Sequence, residues 1–261
     1  MEKDSFIEWL KSAQQKDDAY FDVVKESQEE LKILLKDYSN KQSGIALYFF
    51  IYKLNFIKNA IVDLCETDNL YSANIMYRVF LEHWLKATYI ASRVMIENND
   101  DVGNDYLMFC NLGEELDYGK SLKKTLDILG LEDDTGNVWD NMVEKFPQLE
   151  TLSVHSVEAK VMQFKYRNII QYLLKTNAPG SDWIHVIISE YSELSSYVHG
   201  GPQANEVVSE EDRHLKYKGM INFVYNMCRF YTIYVYGIIA KDNNEKIIHY
   251  INDLNKIEIV E

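Results

Sequence analysis

Turn-forming residues are scarce in this chain. It contains 11 Gly and 3 Pro in 261 residues, where average usage would supply roughly 18 and 13. Few turns mean long elements, which argues against sandwiches, propellers and other folds built from many short strands. Collagen-like, disulfide-scaffold and disordered classes are excluded by the same composition and by a hydrophobic content of 47%. Apolar residues recur at i, i+3, i+4 and i+7, the helical signal. The fold class expected is all-α.

The periodicity predicts helices over 4–14, 17–38, 44–65, 71–96, 105–129, 138–145, 157–175, 182–198 and 209–241, with a short helix or strand over 245–260. Gly130 and Gly200-Gly201-Pro202 read as helix stops, Ser181 and Ser209 as helix starts. This is a single-domain irregular bundle of roughly eight to ten helices. Within 1–261, residues 1–40 read as an N-terminal helical extension, 44–241 as the core and 242–261 as a C-terminal tail. The aromatic run Phe230-Tyr231-Thr232-Ile233-Tyr234-Val235-Tyr236 reads as core packing.

Charge narrows the function classes. With 41 acidic against 27 basic residues the net charge is −14, which works against non-specific binding to nucleic acid and to anionic membrane. No DNA and no membrane partner is expected. Cys65, Cys110 and Cys228 are widely spaced, with no CxxC, so buried thiols in a reducing, cytoplasmic compartment are expected. The stretch MEKDSFIEWLKSAQQ carries acids and no apolar h-region. The apolar segments 44–64 and 221–240 are interrupted by Lys53, Asn55, Lys58, Asn226 and Arg229, and read as buried helices. No HExxH, GxSxG, Walker A or GxGxxG pattern occurs, so neither a metal nor a cofactor is expected.

Three constellations could carry chemistry. In Tyr77-Arg78-Val79-Phe80-Leu81-Glu82-His83-Trp84, Arg78 and Glu82 are i and i+4 and share a helix face amid bulky apolar neighbours. They form either a structural ion pair or the wall of an interior polar site. Arg78 and His83 also make an Arg-x4-His pattern, although residues five apart on a helix point about 140° apart. The second is Tyr191-Ser192-Glu193-Leu194-Ser195-Ser196-Tyr197-Val198-His199-Gly200. Its His199 sits at a helix C-terminus, where a cation is favoured. His199 either caps that helix or joins Arg78 and Glu82 in one polar cluster. The third is a basic stretch, Lys160, Lys165, Arg167 and Lys175, on the helix predicted over 157–175. Arg213, His214, Lys216 and Lys218 form a smaller patch. A solvated helix face is one reading; an RNA-binding face, with Lys160, Lys165 and Arg167 as contacts, is the other.

The segment Asn74-Ile75-Met76-Tyr77-Arg78-Val79-Phe80-Leu81-Glu82 resembles the R-x-x-x-E helix of a bacterial all-helical family of unknown function. The run ending Val198-His199-Gly200 resembles that family's second motif, and together they cover about residues 47–201. The family is similar to HEPN-like and abortive-infection proteins. The resemblance implies a HEPN-like bundle and marks Arg78, Glu82 and His199, with His83 from the Arg-x4-His pattern. It implies a role in phage defence or a toxin-type system, a homodimer and a protein partner from the same system. If catalytic, the chain would be a metal-independent ribonuclease, with His as general acid or base and Arg stabilising phosphorane charge. The competing reading is a non-enzymatic scaffold, immunity or sensor module in which the same residues knit the bundle together.

Overall fold

A computed structural model describes residues 2–131, 136–201, 208–240 and 244–258. It contains α1 (Lys3–Asp37), α2 (Lys41–Glu66), α3 (Leu70–Glu97), α4 (Asp101–Leu129), α5 (Val138–Lys145), α6 (Val154–Met162), α7 (Tyr166–Thr176), α8 (Ile184–His199), α9 (Glu210–Ile239) and α10 (Glu245–Lys256). Short 3-10 turns cover Pro147–Leu149 and Ser181–Trp183. Among the described residues there is no strand, and the all-α class holds.

The α2–α3 hairpin is the centre. Its two helices are joined by three residues and pack along their length. Their buried faces carry Leu47, Phe50, Leu54 and Ile61 on α2 and Phe80, Leu81, Trp84 and Ile90 on α3, while Phe49 and Phe56 lie on an exposed stripe of α2. Helices α9, α4, α8 and α7 pack on this hairpin, and α1 closes the side next to α9 and α10. By length and composition α2 could cross a membrane; in this fold it is the central helix, with more than half of its apolar window buried. A smaller core under α4, α5 and α6 joins Phe109, Leu112, Leu116, Met142 and Val157.

Three boundaries differ from expectation. Helix α1 runs unbroken through 15–16, where two helices were predicted. Gln15, Lys16 and Asp17 offer no helix stop, and Ala13 and Tyr20, seven apart, are buried on one face. The helix predicted over 157–175 is two helices, with a turn at Gln163-Phe164-Lys165. Phe164 leaves the helical path to wedge between the rings of Tyr89 and Tyr106, at 5.8 and 5.6 Å. The Met162 carbonyl then accepts both the Lys165 N–H, at 3.1 Å, and the Asn168 side chain, at 2.7 Å. Ser181 opens a 3-10 turn rather than capping α8. Other expectations hold: Ser209 accepts from the Asp212 N–H at 3.2 Å, and Gly130 and Gly200 end their helices in the left-handed conformation.

The predicted extension is bound tightly to the core by a charge. Lys58 of α2 is 1% exposed. Its ammonium donates to both carboxylate oxygens of Asp17 on α1 and, at 2.9 Å, to Asn55. It also lies over the rings of Tyr20 and Tyr225, at 5.5 and 5.1 Å. A buried ammonium without its counter-ion costs several kcal/mol, whereas an apolar replacement of both partners is near neutral. Asp17→Ala is expected to destabilise the fold by about 3 kcal/mol in urea unfolding, and Asp17→Leu combined with Lys58→Met to recover most of that loss. A double variant as unstable as Asp17→Ala would refute this.

Candidate functional site

Helices α3 and α8 pack against each other with opposite directions. Tyr71, near the start of α3, donates to the Tyr197 carbonyl near the end of α8 at 3.1 Å. Ile184, Ile187, Leu194 and Tyr197 are the buried residues of α8. Tyr191 and Ser195, four apart, lie on the edge of that face and meet Arg78 and Glu82, also four apart, on α3.

All three nitrogen positions of Arg78 are occupied. Nε donates to Glu82 Oε1 at 3.3 Å, Nη1 to Ser195 Oγ at 3.1 Å and Nη2 to Tyr191 Oη at 2.9 Å. Tyr191 Oη in turn donates to Glu82 Oε1 at 3.0 Å. The guanidinium carbon lies 4.4 Å from the Tyr191 ring centroid. Tyr191 stacks on Tyr166 of α7 with centroids 3.9 Å apart. The Arg78 side chain is 11% exposed and that of Glu82 37%. Burial raises the Tyr191 phenol, and Glu82 adds to the rise. Burial also pushes the Tyr166 phenol up to about 12; its oxygen is buried and has no hydrogen-bond partner among the described residues.

The two histidines fall elsewhere. His199 is exposed at the last residue of α8. Because Tyr71 marks the opposing level of α3, Arg78 lies seven residues away, roughly 10 Å along the helix. His199 therefore does not join the Arg78–Glu82 pair; Tyr191 and Ser195 of the same motif do. His83 points toward α2, edge-on to Phe50 at 6.4 Å, as its 140° offset from Arg78 requires. Its Nδ1 lies 2.8 Å from the Val79 carbonyl, so the proton is on Nδ1. Burial, with Lys53 and Lys86 nearby, lowers its pKa below 6.5.

The basic stretch is divided by the turn at 163–165. Lys160 pairs with Asp105 at 2.5 Å and covers the Phe109 ring. Lys165 and Arg167 are exposed, with no ion-pair partner among the described residues. The smaller patch is neutralised or buried. Arg213 forks onto Asp68 with two 3.0 Å bonds, Lys216 approaches Glu193, Lys218 lies over Trp9 and His214 is buried against Phe6.

Comparison with family models, curated proteins and solved structures returns no match. Among the described residues no group of three or more His, Cys, Asp or Glu is placed to hold a metal.

A second Arg–Glu step on α3 was not singled out in the sequence. Arg93 forks onto Glu97 and also donates to Gln163 Oε1 at 2.6 Å and Tyr89 Oη at 3.2 Å. Gln163 reaches Asp105 at 2.8 Å, so this network fixes the α6–α7 turn to α3 and α4. The signal was present: Arg93-x3-Glu97 repeats the spacing of Arg78-x3-Glu82 on one helix.

Two outcomes are expected. Arg78→Ala removes three donors and leaves Glu82 half-buried, so it should cost about 2 kcal/mol in urea unfolding; Tyr191→Phe should cost about 1 kcal/mol. His83 binds its proton more weakly when folded, so the unfolded chain takes it up first and stability falls as pH drops below 6.5 through the folded pKa. His83→Gln should therefore lose less melting temperature than wild type between about pH 7 and pH 5. Parallel pH curves would show that His83 is not held neutral by the fold.

Proposed function

We propose that this chain is a non-enzymatic helical module, HEPN-like in architecture, serving as a scaffold, immunity or sensor component of a bacterial phage-defence or toxin-type system. The observation that carries the reading is the closure of Arg78. An arginine that stabilises charge on a reacting phosphorus must turn its N–H groups toward that centre. Here three of its five N–H groups, one each on Nε, Nη1 and Nη2, donate to oxygens of the chain itself, and the side chain is 11% exposed. A general acid or base must lie within hydrogen-bond reach of the reacting group. His83 faces α2 and His199 lies beyond the cluster, and burial moves the Tyr191 phenol further from neutral pH. A homodimer and a partner from the same system follow from the motif resemblance, cytoplasmic location from the widely spaced cysteines, and all three are part of the proposal.

A metal-independent ribonuclease is the second reading. It is favoured by the exposed, unpaired Lys165 and Arg167 at the start of α7, whose Tyr166 stacks on Tyr191. RNA cleavage in EDTA decides between the two, using single-stranded and structured RNAs with wild type, Arg78→Ala, His83→Ala and His199→Ala. No cleavage by any of the four is expected. Cleavage by wild type that disappears in a folded Arg78 or His variant would establish the ribonuclease.

A further inference from the structure

The α6–α7 turn, the first turns of α7 and the facing flanks of α3 and α8 enclose a pocket of about 250 Å³. Glu82, Lys86, Lys165, Tyr166 and Tyr191 line it, together with apolar side chains that include Ile169. It adjoins the Arg78 cluster through Glu82 and Tyr191 but offers different groups.

Its charge is opposite to that of the chain. The protein carries −14 overall, with acids in excess to neutralise exposed lysines; Lys160, five residues before Lys165, is neutralised by Asp105. Lys86 and Lys165 have no ion-pair or hydrogen-bond partner among the described residues. Lys53 stands close enough to Lys86 to lower its own pKa. The carboxylate in the wall, Glu82, is already neutralised by Arg78. Glu114 is the nearby acid, acting on Lys53 and Cys110 rather than lining the pocket. Two unpaired ammonium groups in one concavity focus positive potential there.

The wall also has hydrogen-bonding capacity left over. Arg78 and Tyr191 both bond Glu82 Oε1, and Oε2 has no partner among the described residues. Tyr166, a residue of the same wall, has a buried hydroxyl with no partner among the described residues; buried hydroxyls are normally satisfied. The volume lies just below the 300–1,000 Å³ of drug-sized sites. It suits a small metabolite.

We propose that this pocket binds a small organic anion, its phosphate or carboxylate group held by Lys86 and Lys165 and an N–H donor on the same molecule bonded to Glu82 Oε2. The inference goes beyond the reading of Arg78 as a structural clamp and stands apart from it: RNA cleavage tests that reading, and ligand binding tests this one.

Isothermal titration of the full chain with inorganic phosphate, phosphoethanolamine and phenylalanine makes the test. Phosphoethanolamine joins a phosphate to an N–H donor and phenylalanine joins a carboxylate to one; inorganic phosphate supplies the head group alone. One of the two zwitterions is expected to bind saturably and about tenfold more tightly than inorganic phosphate, and which one binds identifies the head group. Lys86→Gln and Lys165→Gln should each weaken that binding about tenfold, the scale of one charge-assisted hydrogen bond. Both variants should melt as wild type does without ligand, since neither lysine has a partner to lose. Failure of all three probes to bind saturably at millimolar concentration overturns the proposal. So does binding that is unchanged in the folded double variant Lys86→Gln, Lys165→Gln.

Discussion

A lysine ammonium in the interior sets the terms for the bundle. Lys58 sits on the central helix, where an unpaired charge would be among the most costly groups a fold could bury. Its satisfaction draws Asp17 from α1, Asn55 from its own helix and the rings of Tyr20 and Tyr225 from α1 and α9. The unbroken α1 delivers Asp17 and Tyr20, three apart, to one face. Tyr20 then shares a 2.6 Å hydrogen bond with Thr232 of α9. One turn further along α9, the Tyr236 hydroxyl meets Ser27 of α1. Polar groups thus determine how α1 lies on α9, while apolar burial supplies most of the driving force.

Helix α3 repeats this arrangement on its outer flanks. Its apolar residues face inward almost all round, and two arginines, fifteen residues apart, project from its edges, each holding a glutamate one turn on. Arg78 grips α8 through Tyr191 and Ser195; Arg93 grips the α6–α7 turn through Gln163. The planar fork of arginine suits this role, because one side chain presents several fixed donors and a face for an aromatic ring. Occupied in this way, Arg78 acts as a fastening between helices. The pocket beside it is where unpaired charge remains.

The helical class was legible because Gly and Pro are so few, and α5 lay where its periodicity placed it. The i, i+4 logic brought Arg78 to Glu82 and separated Arg78 from His83. What could not be read was set by contacts distant in sequence. No local signal breaks a helix at Gln163-Phe164-Lys165; the break exists because Phe164 fits between Tyr89 and Tyr106. Likewise the second motif holds Tyr191, Ser195 and His199 at four-residue intervals. Only the level at which α3 and α8 cross decides that the first two meet Arg78 and the third does not.

Arg78 fastens α8 to α3. Amide hydrogen exchange of wild type and Arg78→Ala, read by mass spectrometry peptide by peptide, tests this most directly, since local opening reports the loss of a local fastening. The expected result is exchange about tenfold faster across Ile184–His199, with the α2–α3 hairpin affected far less. Unchanged exchange across α8 in the variant would contradict the account.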